Sequence, residues 1–223
     1  PVDAGRVQLK NANILLQFQN ATSGICPTQW QANTFPQHIR DKITVIHDGI
    51  DTDAVTINPN ARLTLQSGLQ VTRGDEVITF VSRTLEPLRG FHIFMRALPK
   101  ILSAKPNAQV LIVGAEGVGY GLQPPAKTSW KAKFYNEVMP FLTSQQRGRV
   151  HFLGHIEYAR FITLLQISSV HVYLTYPFVL SWSLLEAMSA GCSLIVSDTP
   201  PLQEVISRDE TGKFISFFDI EGL

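Results

Sequence analysis

From Val77 onward, short runs of β-branched and other apolar residues alternate with longer stretches in which apolar positions return every three or four residues. A continuous apolar run of four to eight residues fits a strand buried on both faces, and the longer return fits a helix with one buried face. On that pattern residues 77–82 are predicted to form a strand. Phe91, Phe94, Met95, Leu98, Ile101 and Leu102 mark a helix after Arg89 and Gly90. Residues 109–113 form the next predicted strand, ended by Gly114; a glycine-rich, proline-containing loop to about Ser129 and a helix over 130–142 follow. Further strands are predicted at 150–153, 170–175, 193–197 and 213–217. Helices are predicted at 158–167 and 183–190, with a short one opened by Pro200 and Pro201, since proline suits a first helical turn. Such strands with helices between them predict an α/β protein, a Rossmann-like doubly wound parallel sheet covered on both faces.

The first 75 residues do not follow this rhythm. Residues 13–19 and 22–27 read as pieces of structure lacking neighbours. Residues 43–46 read as a strand, with His47 to Asp51 turning into a linker, and residues 58–72 are polar and turn-rich, as a connector would be. The predicted organisation is a remnant of one domain at 1–42, an interdomain linker region at 43–75 and the α/β domain at 76–223. Both ends read as cut.

Composition narrows this picture. At 223 residues, 44% hydrophobic and 17% charged, the chain has enough apolar surface for a packed core and is not a disordered polymer. Its formal charge of +1 offers no general field for nucleic acid or for an anionic membrane, so any bound anion needs a local site. Cys26 and Cys192 make neither a disulfide framework nor a CxxC pair, which points to a reducing, cytoplasmic setting. No run of about 18 apolar residues and no signal-peptide pattern occurs.

In an open parallel sheet, ligands sit at the carboxyl ends of the strands, so the loops after the strands are the place to look for chemistry. After the first strand, Arg83 and Arg89 flank a helix start. Guanidinium forks bind phosphate bidentately and a helix start adds backbone N–H groups, a combination suited to a diphosphate; two ordinary surface arginines are the plain alternative. After the strand ending at Thr175, Ser181, Trp182 and Ser183 open a second helix, and Glu186 lies one turn in, where its carboxylate could accept from ribose hydroxyls. Ser183-Leu-Leu-Glu186 is equally a capping box, in which Glu186 only satisfies a backbone N–H.

Three segments together carry a resemblance. They are Val81-Ser-Arg83 with Arg89-Gly90, then Val150-His-Phe-Leu-Gly154-His-Ile156, then Ser183-Leu-Leu-Glu186-Ala-Met-Ser-Ala-Gly191 followed by Ile195-Val-Ser-Asp198. In that order, over about 150 residues, they resemble the retaining glycosyltransferases of the GT-B fold, the large family that includes bacterial sucrose-phosphate and mannosyl transferases. Gly24-Ile-Cys-Pro-Thr28 is similar to the last strand of that family's N-terminal domain, and Ile46 to Asp51 to the start of its interdomain linker.

The resemblance implies the C-terminal, donor-binding half of a GT-B enzyme, with no cofactor and a nucleotide-diphosphate sugar, UDP- or GDP-linked, as donor substrate. It implies Arg83 and Arg89 on the diphosphate, Glu186 on the ribose, Gly154, His155 and Ile156 at the base, and Ser181, Trp182 and Ser183 at the phosphates. Arg89 stands where most relatives carry lysine, which keeps the charge and adds a fork. Phe178 stands at the donor-facing position where the family has a second glutamate, and a ring cannot accept from sugar hydroxyls as a carboxylate does. The acceptor would be a glycan, a lipid or a small molecule, met by the missing N-terminal domain, through which any membrane contact would be peripheral. Nucleic acid is not an expected partner.

Other motifs are weaker. Asp51-Thr52-Asp53 matches an Asp-x-Asp manganese signature but sits before the linker. His151 and His155 lack a third zinc ligand. The glycines at 114, 117 and 119 are out of register with a dinucleotide loop and read better as a cleft-lining loop. Two alternatives share the fold: a nucleotide-sugar 2-epimerase, and a non-catalytic nucleotide-sugar or partner-binding module. A NAD-dependent dehydrogenase fits least.

Overall fold

The computed structural model describes residues 3–125 and 127–223, which fall into two units. The first unit comprises the chain to Asp48 together with Phe178–Leu180. It opens with α1 (Ala4–Asn20), whose start is capped by the Asp3 carboxylate, which accepts from the amides of Gly5 and Arg6. No residue of α1 is buried. Strand β1 (Gly24–Cys26) pairs in parallel with β2 (Ile43–Val45), Ile25 opposite Thr44, and the short helices α2 (Gln29–Asn33) and α3 (Gln37–Arg40) lie between them in sequence.

The second unit holds Gly49–Pro177 and Ser181–Leu223. It begins with an antiparallel hairpin, β3 (Arg62–Thr64) and β4 (Gln70–Thr72), in the stretch expected to be a connector. Among its polar residues, Ala61, Leu63, Leu65 and Val71 are all buried, a period-two face short enough to be masked by its neighbours. Gly68, at φ +84°, lies in the connecting turn.

The main sheet contains β5 (Val77–Thr84), β6 (Gln109–Ala115), β7 (Val150–Gly154), β8 (Val170–Tyr173), β9 (Ser193–Ser197) and β10 (Lys213–Ile215). The chain reaches β6 through α4 (Phe91–Ala104). It reaches β7 through α5 (Trp130–Val138), a 3-10 turn (Met139–Phe141) and α6 (Ser144–Arg147). The remaining connections are α7 (Tyr158–Ile167), α8 (Trp182–Ser189) and α9 (Pro200–Gln203). All pairings are parallel and the spatial order is β7-β6-β5-β8-β9-β10. Numbered from the first strand of the sheet this is 3-2-1-4-5-6, the doubly wound arrangement, and the strand order reverses between β5 and β8.

The predicted α/β class and its rhythm of elements are therefore what is found. Helix α4 buries Phe91, Phe94, Met95, Leu98 and Leu102. Phe94 stacks on Phe80 of β5 with ring centroids 4.8 Å apart. Each such side chain contributes about 1.5–3 kcal/mol on burial.

The differences have local causes. β6 continues through Gly114 and Ala115 instead of stopping at the glycine, because the glycine is there for space: a Cβ would lie 2.7 Å from Leu85 Cδ2 and 2.8 Å from the Ser82 carbonyl oxygen. The predicted helix over 130–142 stops at Val138, one residue before the turn containing Pro140. β5 runs on to Thr84 past a register slip after Val81, while β8 and β10 end two residues early.

Candidate functional site

At the carboxyl ends of the central strands the second unit opens a cleft of about 610 Å3, a size usual for small-molecule sites. Its floor comes from Val81 and Ser82 on β5, Val113 and Gly114 on β6, and Tyr173 and Leu174 at the end of β8. Pairing is irregular at just this edge, with a slip between Val81 and Thr84 and another between Ile112 and Val113. Such irregularities re-aim side chains at the rim of a sheet.

Arg83 and Arg89 both line the cleft. Arg89 ends the 3-10 turn Pro87–Arg89, and Gly90 follows at φ +70° as the residue that caps α4. That glycine is required twice over. Its backbone is left-handed, and a Cβ would fall 2.2 Å from the Cβ of Leu174. The missing side chain lets the start of α4 close onto the end of β8. Leu88 O accepts from the Tyr176 amide at 3.2 Å, and the two loops are held together there. Arg83 is exposed and pairs with no carboxylate among the described residues. The start of α4 itself does not line the cleft; only Arg89 beside it does.

Ser181, Trp182 and Ser183 line the opposite wall. Ser181 is the residue before α8, yet its hydroxyl makes no capping bond and instead shares a 2.8 Å hydrogen bond with Ser183 Oγ. The start of α8 thus lines the cleft with no side-chain cap from Ser181, a position at which helix ends favour anions. Tyr173 beside them is buried, and its hydroxyl makes no hydrogen bond of standard geometry. Burial raises its phenol above the ordinary range, an effect opposed by the nearby charge of Arg89 and by Ser181.

Glu186 lies on α8 with 7% of its surface exposed and lines the same cleft. It is not part of a capping box: Ser183 is already the second residue of the helix, and the carboxylate accepts from Tyr158 Oη at 2.7 Å. That bond, followed by burial, pushes the Tyr158 phenol up to about 12. His155 and Ile156 line the third side. Gly154, at φ +66°, ends β7 and is not itself a lining residue. Phe178 goes with the first unit in the Phe178–Leu180 segment and is not among the lining residues.

Sequence reasoning missed Tyr158, Phe161 and Tyr173, all of which line the cleft. Tyr158 was within reach, since it opens the helix that follows the 154–156 loop. The glycine-rich loop after β6 is built on Glu86, which is 1% exposed. Glu86 accepts from Thr84 Oγ1 at 2.8 Å and from the Gly121 amide at 2.9 Å. Gly119 and Gly121 leave the space its carboxylate fills, and none of the described residues of this loop lines the cleft, which Gly114 reaches from β6 itself.

The weaker motifs are otherwise engaged. Asp51 accepts from the amides of Asp53 and Ala54, and His151 Nε2 bonds Gln109 Oε1 at 2.9 Å. Among the described residues no three His, Cys, Asp or Glu side chains group as a metal site would require, and no helix is long and apolar enough to cross a membrane.

Two family models match this chain. Glycosyl transferases group 1 matches residues 66–223, and Glycosyl transferase family 4 group matches residues 1–55. The chain is similar to the phosphatidyl-myo-inositol mannosyltransferase of Mycolicibacterium smegmatis, with 26% identity over 155 residues, 68% of this chain and 35% of that protein. In structure it resembles the sucrose-phosphate synthase of Thermosynechococcus elongatus, with a TM-score of 0.73 at 19% identity, over 98% of this chain and 50% of that one. It also resembles Anabaena HepE, solved with UDP and glucose, with a TM-score of 0.71 at 18% identity, over 95% of this chain and 55% of that one. The likenesses agree with the fold expected from the sequence, and the chain spans about half the length of the solved relatives or less of the curated one.

Proposed function

Because the chain belongs to the glycosyl transferases group 1 family, we propose that its cleft holds a nucleotide-diphosphate sugar and that the complete protein passes the sugar to an acceptor, with retention of configuration and without a metal ion. The observation that carries this reading is the convergence of Arg83, Arg89, the uncapped start of α8 and the buried Glu186 on one cleft at the switch point of the sheet. Arg83 and Arg89 grip the diphosphate, the amides of α8 meet its oxygens, and Glu186 accepts from the ribose. His155 and Ile156 border the base, which is uracil or guanine in this reading. That HepE was solved with UDP and glucose supports a donor of this class.

In the transfer, the bond from the anomeric carbon to the diphosphate oxygen breaks while an acceptor hydroxyl oxygen bonds to the same face of the sugar and gives its proton to the departing diphosphate. Negative charge gathers on the departing diphosphate. Fixed cations and amide dipoles aimed at that charge stabilise it without reorganising, which is how such sites lower barriers. Two guanidinium groups and a helix start supply the positive charge that a metal would otherwise bring. The acceptor is a glycan, a lipid or a small molecule, met by the N-terminal half of such an enzyme, whose family model matches residues 1–55 here. Two buried cysteines kept as thiols support a reducing, cytoplasmic setting.

Phe178 favours a second reading, a module that binds the nucleotide sugar without transferring it, since the family's usual carboxylate is missing there. Release of nucleoside diphosphate by the complete protein separates the two. Acceptor-dependent release that drops about 100-fold in Arg83→Ala supports transfer through this cleft. Turnover unchanged by that substitution removes Arg83 from the diphosphate site.

A further inference from the structure

Glu186 combines three features that call for explanation. It is nearly buried, it faces a cleft, and among the described residues no lysine or arginine forms an ion pair with it. An ionised carboxylate taken out of water without a cation is costly unless hydrogen-bond donors surround it. One donor is present, the phenol of Tyr158, 2.7 Å from Oε1. Tyr158 is itself 60% exposed and stands at the first position of α7, so packing alone does not account for its orientation.

We propose that Tyr158 is the positioning residue for Glu186: by donating to Oε1 it turns the carboxylate so that Oε2 meets a vicinal diol in the cleft, and the two residues together select ribose over 2′-deoxyribose. This rests on the nucleotide-sugar reading and adds to it the residue that sets sugar-ring selectivity. The chemistry supports the division of labour. A carboxylate accepts at both oxygens and a phenol donates only once, so a single phenol fixes the plane of the group while leaving acceptor capacity for two hydroxyls. A site built to accept from a hydroxyl rejects the analogue lacking it, because the buried acceptor is then left unmatched. Neighbouring Asp51 adds its negative charge to that of Glu186 in holding the phenol protonated, so the donor stays a donor throughout the neutral range.

A vicinal diol could come from the ribose or from the transferred sugar. Free nucleoside diphosphates carry only the ribose, and they are the probes. Calorimetry with UDP, GDP and their 2′-deoxy forms is carried out on the wild-type chain, Tyr158→Phe and Glu186→Gln. The wild type is expected to bind one ribonucleotide at least tenfold more tightly than its deoxy form. Tyr158→Phe is expected to lose at least fivefold in affinity for the ribonucleotide, keep its affinity for the deoxy form within twofold, and melt within about 2 °C of the wild type. If Tyr158→Phe keeps the wild-type preference while Glu186→Gln loses it, Glu186 binds ribose unaided and the proposal is overturned. Equal loss for both nucleotides in Tyr158→Phe assigns the residue to packing and overturns it as well. If Glu186→Gln also keeps the preference, or the wild type has none, the ribose role of Glu186 falls and the proposal falls with it.

Discussion

At the scale of single residues, the cleft joins two guanidinium groups, Arg83 and Arg89, to the nearly buried carboxylate of Glu186. Arg83, Arg89, Glu186, Ser181, Trp182, Ser183, His155 and Ile156, all singled out in the sequence, line one cleft, because the end of β5 and the segments that follow β5, β7 and β8 lie at the carboxyl edge of a parallel sheet. Tyr158 and Tyr173 were not singled out. The meaning of Tyr158 depends on a hydrogen bond to a residue 28 positions away, and that of Tyr173 on a wall formed by another loop. The same limit applied to His171, which is fully buried, bonded through Nδ1 to Thr79 Oγ1 at 2.8 Å and without a partner at Nε2. Burial lowers it to about 4 from an ordinary value of 6.5, so it is neutral in the folded protein and charges readily only when unfolded. The unfolded chain therefore binds the extra proton, and stability is lost as pH falls from about 6.5 toward 4. His171 alone should remove about 2 kcal/mol between pH 7 and pH 5. His92, likewise lowered to about 4 by burial and by Arg96, acts in the same direction. Urea unfolding at the two pH values checks this. A midpoint at pH 5 equal to or above that at pH 7 contradicts it.

At the scale of elements, long apolar periods carried the reading and short ones did not. Helix α7 and strand β9 were predicted residue for residue, since their apolar spacing is uninterrupted and their flanks are polar. The hairpin of β3 and β4 escaped notice because its buried face consists of single apolar residues between polar ones. Helix α1 was only partly seen, and it buries nothing that would mark its length. The junction of β5, α4 and β8 is where element packing bears most directly on function. Gly90 joins a left-handed backbone to an approach to Leu174 that leaves no room for a methyl group. Gly90→Ala is expected to lower unfolding stability by about 3 kcal/mol, from backbone strain plus overpacking, and to displace Arg89. A denaturation midpoint within 0.5 kcal/mol of wild type on conversion to free energy would show that the junction is far looser than the structure implies.

For the molecule as a whole, the doubly wound topology explains why residues about a hundred positions apart share a site. β5 and β8 are neighbours at the point where the strand order reverses, so the segments that follow them both start at the cleft. With a formal charge of only +1, the chain has no global field to gather anions, so any bound anion needs a local site such as this cleft. The cleft was more legible than the first 75 residues because strand-end loops are placed by topology, whereas α1 buries no residue and β1 and β2 are three residues each, too short to show a period. In the proposed role, this cleft grips a nucleoside diphosphate through Arg83 and Arg89. Isothermal titration of the chain with UDP, GDP and ADP, repeated on the Arg83→Ala/Arg89→Ala double variant, tests it directly. Saturable binding of at least one of the three is expected, weakened at least 30-fold in a double variant that melts normally. Binding of none of them by the wild type, or equal binding by the double variant, would contradict it.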